Sequence, residues 1–262
     1  MTRGLAPRVV HLCPVDSSVP GPFFLASHVF ICRGKRHWVI LDVNRDKYLC
    51  IDRRQFEALG PSLKGWEAST SPFTSPSGLD TAPIPEDAVA LSRGLFDLGI
   101  LSDRATHAKD ACPTAYRLPT EATDPDSPVR SRRSPGAHAI SFFSSCARAS
   151  RELRQQPFQL TVEAVRARKS RNASGAVGVD FERARSLVLV FERLRLFYPR
   201  SYLCLFDSLA LIHFLARYAV YPDWVFGVNA DPFEAHCWVQ ADHVVLNDTL
   251  ARVTGFTPIM VV

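Results

Sequence analysis

The sequence predicts an α+β fold in two domains joined by a linker, and three observations carry that reading. Short alternating apolar segments fill the region from Leu25 to Ile51, ahead of two helical stretches. A stretch rich in Pro, Ser, Asp and Arg from Asp103 to Pro135 then lacks apolar periodicity, the composition of a segment that buries too little surface to order itself. Beyond it come helix-spaced apolar residues and then short strand-like runs, an order of helices first and antiparallel strands last. With 262 residues, the chain exceeds the roughly 100 to 200 that one core usually serves. The boundaries implied are a first domain at 1–103, a linker at 104–135 and a second domain at 136–262.

The elements follow in chain order. Leu25 to Arg33 reads as a strand, Gly34-Lys35 as a turn, and Arg36 to Val43 as a second strand. Asn44-Arg45-Asp46 turns the chain into a short third strand, Lys47 to Ile51. Asp52-Arg53-Arg54-Gln55 is an Asp-x-x-Gln capping box that starts a helix through Leu59, which Gly60-Pro61 stops. Ser69 to Pro85 reads as a loop, and Pro85 to Leu98 as a helix closed by Gly99. After the linker, Ala137 to Gln155, Phe158 to Lys169 and Asp180 to Tyr198 read as helices, with Leu187, Val190, Leu194 and Phe197 at helical spacing. Cys204 opens a further helix to about Tyr218, and strands follow at Trp224 to Val228, Ala235 to Gln240 and Val244 to Asn247.

Composition narrows the setting. Met1 to Val15 holds no apolar stretch of signal-peptide length, and no segment approaches the roughly 20 apolar residues that span a bilayer, so a cytoplasmic protein without membrane insertion is expected. Seven cysteines, at Cys13, Cys32, Cys50, Cys112, Cys146, Cys204 and Cys237, form no C-x-x-C pair, which argues against a disulfide framework and against zinc. The formal charge of +5 is modest, but ten Arg or Lys lie between Arg130 and Arg171 against two acids, Glu152 and Glu163. A solvated helical face accounts for that run, with an attracted acidic peptide or nucleic acid as the alternatives.

The informative region is Ser201 to Pro258. Ser201 is a candidate N-cap, which puts Cys204 in the first helical turn, where backbone N–H groups lack intrahelical partners. That electropositive end favours a thiolate, the nucleophilic form, and the same N–H groups are oriented to hold an oxyanion. Only the Cys204 N–H is assignable as a donor. If Ala241-Asp242-His243 is a three-residue loop, His236 falls opposite Asp248 on one sheet face, close enough for the carboxylate to fix the imidazole tautomer. A two-residue loop would instead put Asn247 opposite His236 and leave Asp248 on the other face, so Asn247 is the reserve.

Each residue also has an ordinary reading: Cys204 as a small core residue, His236 as a satisfied strand histidine, Asp248 as a cap ahead of Thr249. Competing sets are weaker. His243 lies in the turn, His213 inside the helix, and Cys237 on the face away from His236. A metal site from His236, Asp242, His243 and Asp248 has no recognised ligand spacing.

Four motifs, Cys204-Leu205-Phe206-Asp207-Ser208-Leu209-Ala210-Leu211, Val225-Phe226-Gly227-Val228, Pro232-Phe233-Glu234-Ala235-His236-Cys237-Trp238-Val239 and Leu246-Asn247-Asp248-Thr249, resemble in sequence and order those of the lasso peptide B proteins. These belong to the transglutaminase-like, papain-related superfamily. The resemblance implies a Cys-His-Asp triad of Cys204, His236 and Asp248 that removes the leader from a ribosomally made lasso precursor, with no cofactor, beside an ATP-dependent lasso cyclase. It also implies, more loosely, a winged-helix-like recognition element over Leu25 to Leu101. In that family the leader adds a strand beside the third strand and rests on the last helix. Here that maps to Lys47, Tyr48, Leu49, Cys50 and Ile51, with Val89, Arg93 and Leu95 on the helix; an ordinary edge strand and core helix are the plain alternative. Ser69 to Pro85 departs from a compact winged helix. The last helix, with Glu86, Asp87 and Asp97 against Arg93, is not the basic helix that enters a nucleic-acid groove. A transglutaminase-like acyltransferase and a non-catalytic leader-binding escort remain as rival readings.

Overall fold

The computed structural model describes residues 23–66, 86–106, 108–124, 134–173 and 181–262. They cluster into two compact units, one running up to Thr114 and including Ala230–Phe233, the other made of Ala115–Asn229 and Glu234–Val262. No helix among the described residues is long and apolar enough to cross a membrane.

In the first unit the expected leading strand is two strands, β1 (Phe24–Ala26) and β2 (Val29–Arg33), separated by a turn at Ser27-His28. β2 pairs antiparallel with β3 (His37–Asp42), and β3 with β4 (Lys47–Asp52), in the order β2-β3-β4. The turn between β3 and β4 is organised by the buried Asp42, whose Oδ1 accepts the N–H groups of Asn44 and Arg45 at 3.0 and 3.1 Å. Helix α1 (Arg53–Leu59) starts on Asp52, whose side chain accepts from the N–H groups of Arg54 and Gln55. Helix α2 (Glu86–Asp97) ends where Gly99 takes φ +63° and the Ile100 N–H reaches back to the Leu95 carbonyl at 2.9 Å, a left-handed cap that favours glycine. The core joins Leu25, Ile31, Trp38, Ile40, Phe56, Leu59 and Leu95, with Trp66 against the Trp38 ring at 5.0 Å.

The second unit packs α3 (Pro135–Gln155), α4 (Phe158–Ala173), α5 (Phe181–Arg195) and α6 (Cys204–Ala216) with a five-stranded sheet. Ser134 caps α3, its Oγ accepting the Ala137 N–H at 3.4 Å. The sheet order is β11-β8-β9-β10-β7, from β7 (Glu121–Ala122), β8 (Asp223–Ala230), β9 (Phe233–Ala241), β10 (Val244–Val245) and β11 (Thr257–Val261), with a short helix α7 (Leu250–Val253) before β11.

The stretch expected as a structureless linker carries order. β6 (Ala108–Lys109) pairs with β1, whose other side is taken by β5 (Leu101–Ser102) just ahead of the stretch, and β7 pairs in parallel with β10. Polar bonds, not apolar periodicity, order its second half. The Tyr116 hydroxyl meets Asp223 at 2.7 Å, the Arg117 carbonyl accepts from Gln240 at 3.0 Å, and the Thr123 N–H donates to the Val245 carbonyl at 2.8 Å. The loop expected at Ser69 to Pro85 lies outside the described residues.

Part of the basic run is also accounted for by packing. Glu152 accepts from Arg148 at 2.7 Å and is bonded to His213 at 2.7 Å in the α3–α6 interface, while Lys169 is bonded to Asp223.

Candidate active site

Helix α6 begins at Cys204, but Ser201 does not cap it. The N-cap position belongs to Leu203, which offers no side-chain bond, and the Asp207 carboxylate reaches back to the Leu203 N–H at 2.7 Å instead. Asp207 is itself held by the buried Arg195, whose guanidinium also donates to the carbonyls of Tyr198, Arg200 and Ser201 at 3.2, 3.0 and 3.2 Å. Arg195 thereby gathers the whole approach to the nucleophile, a contact that local capping rules do not reveal. Removing the cation leaves a buried carboxylate without its partner. Arg195→Ala is therefore expected to lower stability by about 3 to 5 kcal/mol, read from urea denaturation followed by circular dichroism.

His236 lies on β9 and is 5% exposed. Its Nε2–H donates to Oδ2 of Asp248 at 2.5 Å, which leaves Nδ1 for the Cys204 sulfur, to which the ring is hydrogen-bonded. The ring stacks on Trp238 at 6.1 Å and packs against Phe256 at 5.1 Å. Gly227 on β8 makes room for both, since a Cβ there would stand 2.8 Å from the Trp238 ring and 2.9 Å from Phe256 Cβ.

Asp248 reaches the ring by a route that neither expected register describes. The turn is two residues, with Val244 opposite Ala241 and Asp242 at φ +52°, and strand pairing stops at Val245. Asp248 then lies in a bend before α7, its Oδ1 accepting the Thr249 N–H at 2.7 Å. Asn247 is not opposite His236. Its Oδ1 accepts the Val239 N–H at 2.7 Å, continuing the ladder where the backbone leaves it, and its Nδ2 donates to Ser208 on α6 at 3.2 Å. The reserve residue thus fixes the Asp248 loop to both β9 and α6.

Cys237 also departs from expectation. It acts on the same sulfur as His236: the Cys237 thiol and the Cys237 backbone N–H both favour the Cys204 thiolate. Together with His236 these donors outweigh burial and push the Cys204 thiol down to about 4. Burial opposes charge on His236, but its bonds to Asp248 and Cys204 push it up to about 9. Between those values the pair rests as thiolate and imidazolium, with the Asp248 carboxyl held below its usual range against the cost of burial by His236 and the Thr249 N–H.

The residues mapped to leader contact are all in the first unit. Among the described residues β4 pairs only with β3, which leaves it an edge strand, with Lys47 exposed and Tyr48, Leu49 and Cys50 half-buried. Val89 and Arg93 are half-buried and one turn apart on α2. Ile51 and Leu95 do not belong with them as side-chain contacts, since at 8% and 3% exposure both pack into the core.

Comparison with known proteins places a domain of the transglutaminase-like superfamily (Transglut_core3) at residues 144–261, a span that runs from α3 to β11 and contains Cys204, His236 and Asp248. No curated protein and no solved structure matches the chain.

Proposed function

We propose, with the transglutaminase-like domain at 144–261 as premise, that the chain is a cysteine endopeptidase that binds a lasso precursor and removes its leader. The observation that supports this most is the continuous line from the Cys204 sulfur through the His236 ring to the Asp248 carboxylate. The thiolate attacks the scissile carbonyl, and the oxyanion develops beside the Cys204 N–H in the first turn of α6. Imidazolium His236 gives its proton to the leaving amine, and a thioester remains on Cys204. The neutral ring then takes a proton from water, whose attack on the thioester breaks the C–S bond, releases the acid and restores the thiolate–imidazolium pair. Asp248 holds the ring orientation and favours its charged form throughout.

The side of β4 away from β3, with Val89 and Arg93 of α2, is the proposed seat of the leader, which would join β4 as a further strand. Val89→Asp is expected to weaken leader binding about tenfold or more in fluorescence anisotropy, while alkylation of Cys204 is unchanged.

The deciding experiment is mass spectrometry of a candidate lasso precursor, sought as a short reading frame beside this chain's gene, after incubation with the protein. Leader and core fragments whose masses sum to precursor plus water support the peptidase. An amine adduct without hydrolysis supports acyl transfer, the reading that the transglutaminase-like domain also accommodates. An intact precursor that stays bound supports a non-catalytic escort.

A further inference from the structure

Two thiols meet at the N-terminus of α6. Cys204 and Ser208 lie one turn apart on the same helical face, and Cys237 of β9 reaches both. Its S–H donates to the Ser208 hydroxyl at 4.0 Å, which in turn donates to the Cys237 carbonyl at 3.2 Å, and the Cys204 thiol is its other neighbour. The two sulfurs differ in access. Cys237 is 3% exposed, whereas Cys204 is half-buried, so an oxidant from solvent reaches Cys204 first.

We propose that Cys204 and Cys237 form an oxidative modification site, at which hydrogen peroxide converts the two thiols into a disulfide that a dithiol reductant reopens. In the first step the Cys204 thiolate attacks one peroxide oxygen. The S–O bond forms, the O–O bond breaks, and the departing hydroxide takes the His236 proton to leave as water. Cys204 is then a sulfenic acid, oxidised by two electrons at the expense of the peroxide. In the second step the Cys237 sulfur attacks the Cys204 sulfur, forming S–S and breaking S–O, and the Cys237 proton leaves with the hydroxyl as a second water.

The order of events follows from charge. Burial first, and then the neighbouring thiolate, hold the Cys237 thiol far above its ordinary range, so it stays protonated while Cys204 is reduced. Oxidation of Cys204 removes that negative charge and frees the neutral His236 ring to accept the Cys237 proton. The two thiols are already neighbours, with Cys237 bonded to Ser208 one helical turn after Cys204, so closure to the roughly 2.05 Å of a disulfide needs a side-chain adjustment and no long travel. Disulfide formation would silence the nucleophile and spare it the irreversible sulfinic stage. The inference uses the reactive thiolate of the proposed peptidase but requires no cleavage activity.

The test is peptide mapping of the full chain after brief exposure to a few equivalents of hydrogen peroxide, alkylation of remaining thiols and trypsin digestion without reductant. The expected product joins peptides 201–217 and 218–252, is lighter by two hydrogens than their sum, and separates on adding dithiothreitol. Iodoacetamide labelling of Cys204 should be lost after peroxide and regained after dithiothreitol. In Cys237→Ala and Cys237→Ser, Cys204 should instead gain two oxygens as sulfinic acid and stay blocked. Sulfinic acid at Cys204 of the unaltered chain without the cross-link, or a cross-link from Cys204 to any other cysteine, overturns the proposal. Since precursor cleavage is never measured, failure of the peptidase reading leaves this result intact.

Discussion

Cys204→Ala is expected to reduce precursor cleavage by about 10⁴-fold or more, the scale at which a covalent nucleophile contributes. Without the sulfur no thioester forms, and only the first-turn N–H groups and substrate binding are left to act on the scissile bond. The fold should survive, because alanine is the best helix former and Cys204 is only half-buried. Leader binding should survive too, since the proposed seat on β4 and α2 uses other residues. Cleavage by the variant at the native rate, followed by mass spectrometry with purified precursor, would remove Cys204 from the mechanism. Lost cleavage with retained binding in anisotropy would support both assigned roles.

The second large effect concerns pH. Alkylation by iodoacetamide reports the thiolate, and with the Cys204 thiol at about 4 its rate should already be on its plateau at pH 6. His236→Ala removes one of three groups that favour the thiolate, so the onset should move upward. The variant should react about tenfold or more slowly than the wild type at pH 6. The sign is fixed by which partner charges: losing a cation beside a thiolate disfavours the anion and raises its pKa. Peptidase kcat/KM should follow a bell, rising as the sulfur ionises near pH 4 and falling as His236 loses the leaving group's proton near pH 9. Wild-type alkylation that climbs only above pH 8 would show that the ion pair does not form.

Much of this arrangement was legible in the chain, and the misses share a cause. Local signals located β3, β4, the Asp52 cap and the start of α6 at Cys204, because alternation, capping and turn chemistry act within a few residues. The proximity of His236 and Asp248 was also anticipated, though through a three-residue loop that does not exist. The chain makes the same contact by leaving the ladder after the Leu246 N–H bonds the Val239 carbonyl, with the Asn247 side chain accepting the Val239 N–H in place of backbone, a substitution no register argument contains. Ser201 looked like the cap of α6 for local reasons, but Arg195 takes its carbonyl and Asp207 supplies the cap. β7 escaped notice because two residues paired in parallel to β10 carry no period. Cys237 was placed by strand alternation, which speaks of faces but not of a thiol and a backbone N–H that act on the same sulfur.

The clasp around Arg195 has a consequence for how the thiol loses its competence. One guanidinium, bonded to Asp207 and three carbonyls, binds the last turn of α5 to the first turn of α6. The reacting sulfur therefore receives its place when the chain folds, and no ordering is left for the moment of substrate capture. Warming or mild urea has no loose hinge to work on at that point, so inactivation and melting of the helical layer should trace a single curve.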